Sequence, residues 1–200
     1  MSRIVTIGRE FGSGGREIGR RIAEQLQIAY YDQEIVNELL KRTSYTESYI
    51  LQLDEKSPLP LLPITIGKTL PFSANDSFQK QLSIYMQESD IIREMAEKSD
   101  CVIVGRSSDY ILRERNPFRI FVYADIKARM ERCRKKGQEE SNVGDKALKK
   151  QIDAIDKRRA EYYEFYTNQV WGKKENYDLC INTSGKDIKS ISLLLADYIK

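Results

Sequence analysis

The 200-residue chain contains no histidine. That absence removes imidazole general bases, histidine-ligated metals, and Ser-His-Asp or Cys-His nucleophiles together. Any chemistry must use carboxylates, arginine, lysine, hydroxyls and backbone dipoles. Cysteine is scarce: Cys101, Cys133 and Cys180 are widely spaced and odd in number. They outline no disulfide framework, and Cys101 and Cys180 fall in apolar, strand-like runs that suit reduced core thiols. No apolar run approaches the roughly 20 residues of a membrane span. The first residues lack the charged-then-apolar order of a secretory signal. A cytoplasmic protein with no membrane partner is expected. The net charge of +3 is mild and spread along the chain. It reads as a solvated surface and predicts no nucleic-acid partner. Proline is nearly confined to one stretch: Pro58, Pro60, Pro63 and Pro71 are four of the five.

What is present centres on IVTIGREFGSGGREIGRRIAE, Ile4 to Glu24. The β-branched run Ile4 to Ile7 predicts a buried strand. Gly12, Gly14 and Gly15 predict a tight loop, and Glu17 to Leu26 a helix with Ile18, Ile22 and Leu26 on one face. Strand, glycine loop and helix together cradle phosphates, because loop and helix N–H groups point at the anion. The stretch resembles a P-loop, but an altered one. It lacks G-x-x-x-x-G-K-[ST]: Gly15 and Arg16 stand where glycine-lysine or lysine-serine would be expected, and Glu17 follows.

Further along, Ile28 to Tyr31, Cys101 to Val104, Phe118 to Tyr123 and Tyr177 to Ile181 read as four more short strands. Helices are expected at 33–41, 78–98, 110–115, 125–136, 146–169 and 187–199. Alternating strands and helices predict an α/β fold: one five-stranded parallel sheet, helices on both faces, right-handed crossovers, a single domain over 1–200. Thr43 to Asp76 breaks the rhythm with its prolines. It reads as a lid over an acceptor or as a packing loop, and residues 43–98 together form an insertion. Residues 125–160 carry Lys127, Arg129, Arg132, Arg134, Lys135 and Lys136 and suggest a mobile lid, or else a solvated helix face. Tyr162, Tyr163, Phe165, Tyr166 and Trp171 have the spacing of core packing.

Three features fall at carboxyl ends of strands: the glycine loop, Asp32, and Gly105-Arg106. Ligands of open α/β sheets bind at that edge. Asp32 is either a helix cap or a ligand-facing carboxylate. Arg106 has the planar fork for a second phosphate. Arg129 and Arg132 share a helix face, as do Asp156 and Arg159. Phosphoryl transfer asks mainly for positive charge and positioning.

At these residues the sequence resembles the cytidylate-kinase-like family, relatives of bacterial cytidylate kinase among the P-loop nucleoside monophosphate kinases. The stretches TIGREFGSGGREIGRRIAEQL, YYD, CVIVGRSSDYIL, FRIFVYADIKARMERCRKK, DKRRAEYYEFYTNQVWG and NYDLCINTS carry it. The resemblance implies the P-loop kinase fold, ATP, Mg2+ and a nucleotide acceptor. It places Gly12, Ser13, Gly14, Gly15, Arg16 and Glu17 at the donor phosphates. Arg16, Arg129 and Arg132 are the candidate catalytic cations, and Glu17 the candidate metal ligand. Asp32, Arg106, Asp109, Asp156 and Arg159 fall on the acceptor side. The chain departs from the pattern at Gly15 (lysine), Glu17 (threonine), Ser107 (aspartate) and Ile152 (arginine). Glu17 has three readings: a metal ligand, a salt-bridge partner or an acidic helix start. Two functions therefore stand: a kinase moving the ATP γ-phosphoryl to a CMP-like acceptor, or a nucleotide-binding regulator that has lost catalysis. A bare scaffold role is the third.

Overall fold

The computed structural model describes residues 3–47, 50, 72–136 and 144–200, with backbone alone over 72–77. The expected insertion's four prolines lie outside the described residues. Five strands form one parallel sheet: β1 (Ile4–Arg9), β2 (Ala29–Tyr31), β3 (Cys101–Val104), β4 (Phe118–Tyr123) and β5 (Leu179–Asn182), in the order β2-β3-β1-β4-β5. The helices are α1 (Gly15–Leu26), α2 (Gln33–Arg42), α3 (Phe72–Lys98), α4 (Ser108–Ile111), α5 (Ile126–Lys136), α6 (Asp145–Thr167) and α7 (Ile188–Ile199).

The strands are continuous apolar runs because both sheet faces are covered. On one face Val5, Ile7, Val102, Val104, Ile120 and Val122 pack under Ile18 and Ile22 of α1 and Leu195 of α7. On the other, Ile4, Cys101 and Ile103 pack against Ile35 and Leu39 of α2 and Ile91, Ile92 and Met95 of α3. Period-two alternation thus divides each strand between two cores. α1 lies close because Gly19 is small: a Cβ there would sit 2.9 Å from Val104 Cγ2.

Several boundaries differ from the expected ones. β1 continues past Ile7, since Gly8 and Arg9 keep pairing with Phe121 and Val122 of β4. β5 begins at Leu179, not Tyr177; the Tyr177 ring packs on Phe121, 4.9 Å between centroids. α3 starts at Phe72, six residues before the expected start at 78 and within the segment expected to be irregular. The helix expected over 110–115 divides into α4 and a 3-10 turn, Arg113–Arg115. All three cysteines are free thiols, and only Cys101 is fully buried.

Candidate active site

Topology sets the site. β1 is flanked by β3 on one side and β4 on the other, so the chain winds outward in both directions from it. The crevice at such a switch point, at the carboxyl ends of the strands, is where open α/β sheets bind ligands. The loop after β1 turns with Gly12 at φ +76° and Gly14 at φ +90°, a left-handed region where a side chain is strained. A Cβ on Gly12 would also sit 2.9 Å from the Arg129 carbonyl. No side chain caps α1, so its first-turn N–H groups face outward without an intrahelical acceptor.

The loop is held from behind. Thr183, after β5, donates its hydroxyl to the Ser13 carbonyl at 2.7 Å. Arg132 Nη1 donates to the carbonyls of Gly12 and Ser13, both at 3.3 Å, and its other nitrogen donates to the Thr183 carbonyl. In a trans peptide the N–H points opposite the C=O, so the Gly14 N–H is turned away from these anchors. The Phe11 N–H donates to Asp156 Oδ1 at 2.7 Å. Asp156 also pairs with Arg129, which reaches Glu10 at 3.1 Å. Arg129 is 6% exposed and lines neither cavity of the site. α5 is therefore tied to the loop by both arginines.

Two cavities meet over this loop. One, of 640 Å³, is lined by Gly12, Gly14, Gly15, Glu17 and Arg132, with Lys186 and Lys189 at the start of α7. The other, of 220 Å³, lies toward β3, among Asp32, Arg106, Asp109, Arg158, Tyr162 and Trp171. Arg9, Phe11, Arg16 and Arg159 line both, and so form the partition between them.

Arg16 turns toward the second cavity and pairs with Asp32, Nε to Oδ2 at 2.6 Å. Of the two readings of Asp32, its carboxylate makes no cap hydrogen bond on α2; it serves Arg16 and Tyr30. Glu17 pairs with Arg21 at 3.0 Å, one turn later on α1. Arg106 sits in a left-handed turn, with Gly105, Arg106 and Ser107 at φ +81°, +58° and +50°. Three such residues in a row after a strand are costly and mark a constrained site. The Arg106 guanidinium pairs with Glu88 of α3, 2% exposed, which also accepts from Tyr162 Oη at 2.8 Å. Arg159 Nη1 donates to the Arg9 carbonyl at 3.2 Å, and its guanidinium lies 5.6 Å from the Phe11 ring centroid. Asp156 lines neither cavity.

Arg9, Glu88 and Arg158 escaped the sequence reading. Glu88 had a detectable signal, an acidic residue between the apolar positions Tyr85, Met86, Ile91 and Ile92 of one helix. The aromatics expected to pack in the core are divided. Tyr166 stacks on Tyr85, 3.9 Å between centroids, and Tyr163 is buried, whereas Tyr162 and Trp171 face the second cavity.

Asp109 is 7% exposed and accepts from Tyr163 Oη at 2.7 Å. Burial pushes its pKa above the usual carboxylate value, against the opposing pull of the Tyr163 hydrogen bond. With the folded pKa above the unfolded one, its contribution to stability is full below about pH 3.9 and is lost as pH rises through the folded value. Asp109→Asn is accordingly more stable than the parent at pH 7, and the gap closes toward pH 4. Urea midpoints across that range measure it; a constant gap contradicts it.

Among the described residues no three His, Cys, Asp or Glu side chains cluster as a metal site. Mg2+ is commonly held by one or two carboxylates together with substrate phosphates. Glu17 is the carboxylate on the first turn of α1 and fits that lesser role, in competition with Arg21.

A family model described as the cytidylate kinase-like family matches residues 4–185. The chain belongs to the cytidylate kinase-like family. A crystal structure of an uncharacterized protein from Eubacterium ventriosum is 26% identical, with 98% of each chain covered and a TM-score of 0.69. Shikimate kinase from Bacteroides thetaiotaomicron is 15% identical, with 100% of this chain and 99% of that one covered and a TM-score of 0.60. Shikimate kinase from Acinetobacter baumannii, in complex with shikimate, is also 15% identical, covering 100% and 93%, with a TM-score of 0.55. The two enzymes share the P-loop kinase fold with this cytidylate kinase-like chain. No curated protein matches the sequence. Among the described residues no helix is long and apolar enough to cross a membrane.

Proposed function

We propose that this protein is a phosphotransferase that moves the γ-phosphoryl of ATP to a nucleoside monophosphate or a related small phosphorylated acceptor. The observation that carries the reading is the partition. Two cavities, one on a phosphate-cradling loop and one rich in arginine, share a wall made largely of arginines. A phosphoryl group in transit gathers charge on its equatorial oxygens, and cations there stabilise it.

In this reading the N–H groups of the loop and of α1 hold the donor phosphates in the larger cavity, with Lys186 and Lys189 nearby. Arg106 and Arg159 hold the acceptor phosphate in the smaller one, and Tyr162 and Trp171 offer flat faces to its base. Asp156 and Arg129 act on the loop, holding its backbone in shape. Magnesium arriving on the nucleotide would neutralise charge on its phosphates, and Glu17 is the residue that would hold it. A phosphate-monoester acceptor presents an ionised oxygen, so no general base is required; that agrees with a chain lacking histidine.

The test is purified protein with ATP, Mg2+ and a panel of nucleoside monophosphates, read by ADP release and by the phosphorylated product. Product formation, and its fall by about 10²-fold or more in Arg159→Ala, is expected. ATP binding by calorimetry with no product from any acceptor would overturn the kinase reading. It would favour a nucleotide-binding regulator, to which the pairs Glu17–Arg21 and Arg16–Asp32 lend support, since both occupy charges a catalyst would use.

A further inference from the structure

Arg9 ends β1 and lies on the partition between the two cavities. Among the described residues its guanidinium has no hydrogen bond and no ion pair, whereas Arg16 and Arg106 beside it are both paired. Its surroundings are shaped to admit it. Gly15 stands at the position of the P-loop lysine, and a Cβ there would be 2.6 Å from Arg9 Cβ and 3.2 Å from its Cγ. Gly105, at φ +81°, leaves room for the head group: a Cβ there would overlap the Arg9 guanidinium. One glycine thus clears the stem and the other the charge. Burial, and next the neighbouring Arg159, pull the Arg9 pKa down to about 9, with Asp32 opposing. A cation held like this is short of negative charge, and an anion brought to the partition would supply it.

We propose that Arg9 is the phosphate-binding cation of this loop, doing from the end of β1 what a lysine at position 15 would do from the start of α1, and that it contacts the phosphoryl group during transfer. The inference rests on the kinase reading and extends it to a residue outside the altered P-loop sequence. In the step, the acceptor oxygen forms a bond to the γ-phosphorus while the bond from that phosphorus to the β–γ bridging oxygen breaks. The electron pair stays on the leaving ADP. Arg9 stays protonated throughout and donates hydrogen bonds to non-bridging oxygens, moving no proton. Its planar fork can span two oxygens where a lysine would meet them as a point charge.

The experiment compares the parent with Arg9→Met and Arg9→Lys, each first checked for an intact melting transition. Arg9→Met should lower kcat about 10²–10³-fold, with KM for the acceptor changed by less than about fivefold. Arg9→Lys should recover at least tenfold of that loss, since it restores the charge, though as a point charge without the fork. Inorganic tripolyphosphate, titrated by calorimetry, gives a second readout that needs no turnover: Arg9→Met should weaken it at least tenfold. A kcat within threefold of the parent, or tripolyphosphate affinity unchanged in Arg9→Met, overturns the assignment. Absence of turnover in the parent would instead sink the kinase reading, and the tripolyphosphate titration would still decide the role of Arg9.

Discussion

Arg129→Ala unfolds with about 3–5 kcal/mol less stability than the parent, the cost of breaking a buried ion pair from one side. The side chain is 8% exposed and divides its charge between Glu10 and Asp156. Removing it takes the nearer cation from both carboxylates, leaving Asp156 with Arg159 at 3.7 Å and the Phe11 N–H, and Glu10 with the Ala124 N–H at 3.0 Å. A loss of that size is a large share of a typical domain's 5–15 kcal/mol. Arg20→Ala is the matched control. It breaks an ion pair with Glu24 whose side chains are 50% and 55% exposed, and should cost at most about 1 kcal/mol. Urea unfolding of both variants measures the contrast. Equal, small losses would mean that Arg129 is not the tie between α5 and the loop.

Arg106→Ala is expected to act on stability and binding at once. It takes the Arg106 guanidinium from Glu88, whose side chain is 3% exposed, at a cost of about 3 kcal/mol or more. It also withdraws a charged donor from the second cavity, which should weaken an acceptor phosphate roughly 10- to 100-fold. The double variant Arg106→Ala/Glu88→Gln separates the effects. A neutral amide at 88 no longer needs the cation, and Tyr162 Oη can still donate to it. Stability should largely return while acceptor affinity stays low. Affinity equal to the parent's in the double variant would show that Arg106 serves Glu88 and no ligand.

The fold was legible in the sequence for a definite reason. Parallel strands covered on both faces must be continuous apolar runs, and CVIV at 101–104 and FRIFVY at 118–123 declare themselves as such. The glycine loop was legible because its positions need left-handed backbone. Partners were much harder to read. The i,i+3 spacing of Asp156 and Arg159 correctly puts them near each other, 3.7 Å apart at their closest. It cannot say that Asp156 turns to the Phe11 N–H while Arg159 reaches the cavities. Arg9 was hidden because β1 reads as ending at Ile7, and because its role depends on what residues 15 and 105 lack. An absent side chain leaves a trace only once the chain is folded.

The two glycines around Arg9 also constrain how such a site can be reached by single substitutions. With Arg9 in place, any side chain at 15 meets its stem and any side chain at 105 meets its head. Position 15 therefore has to be glycine before arginine can enter at 9; at 105 the contact is with the far end of a flexible side chain, and the left-handed φ of +81° is the firmer demand for glycine. A lysine likewise cannot enter at 15 until Arg9 has gone, so the intermediate carries neither cation whichever way the exchange runs. Exchange between a lysine form and an arginine form of this loop would have to cross, in either direction, a protein stripped of both charges.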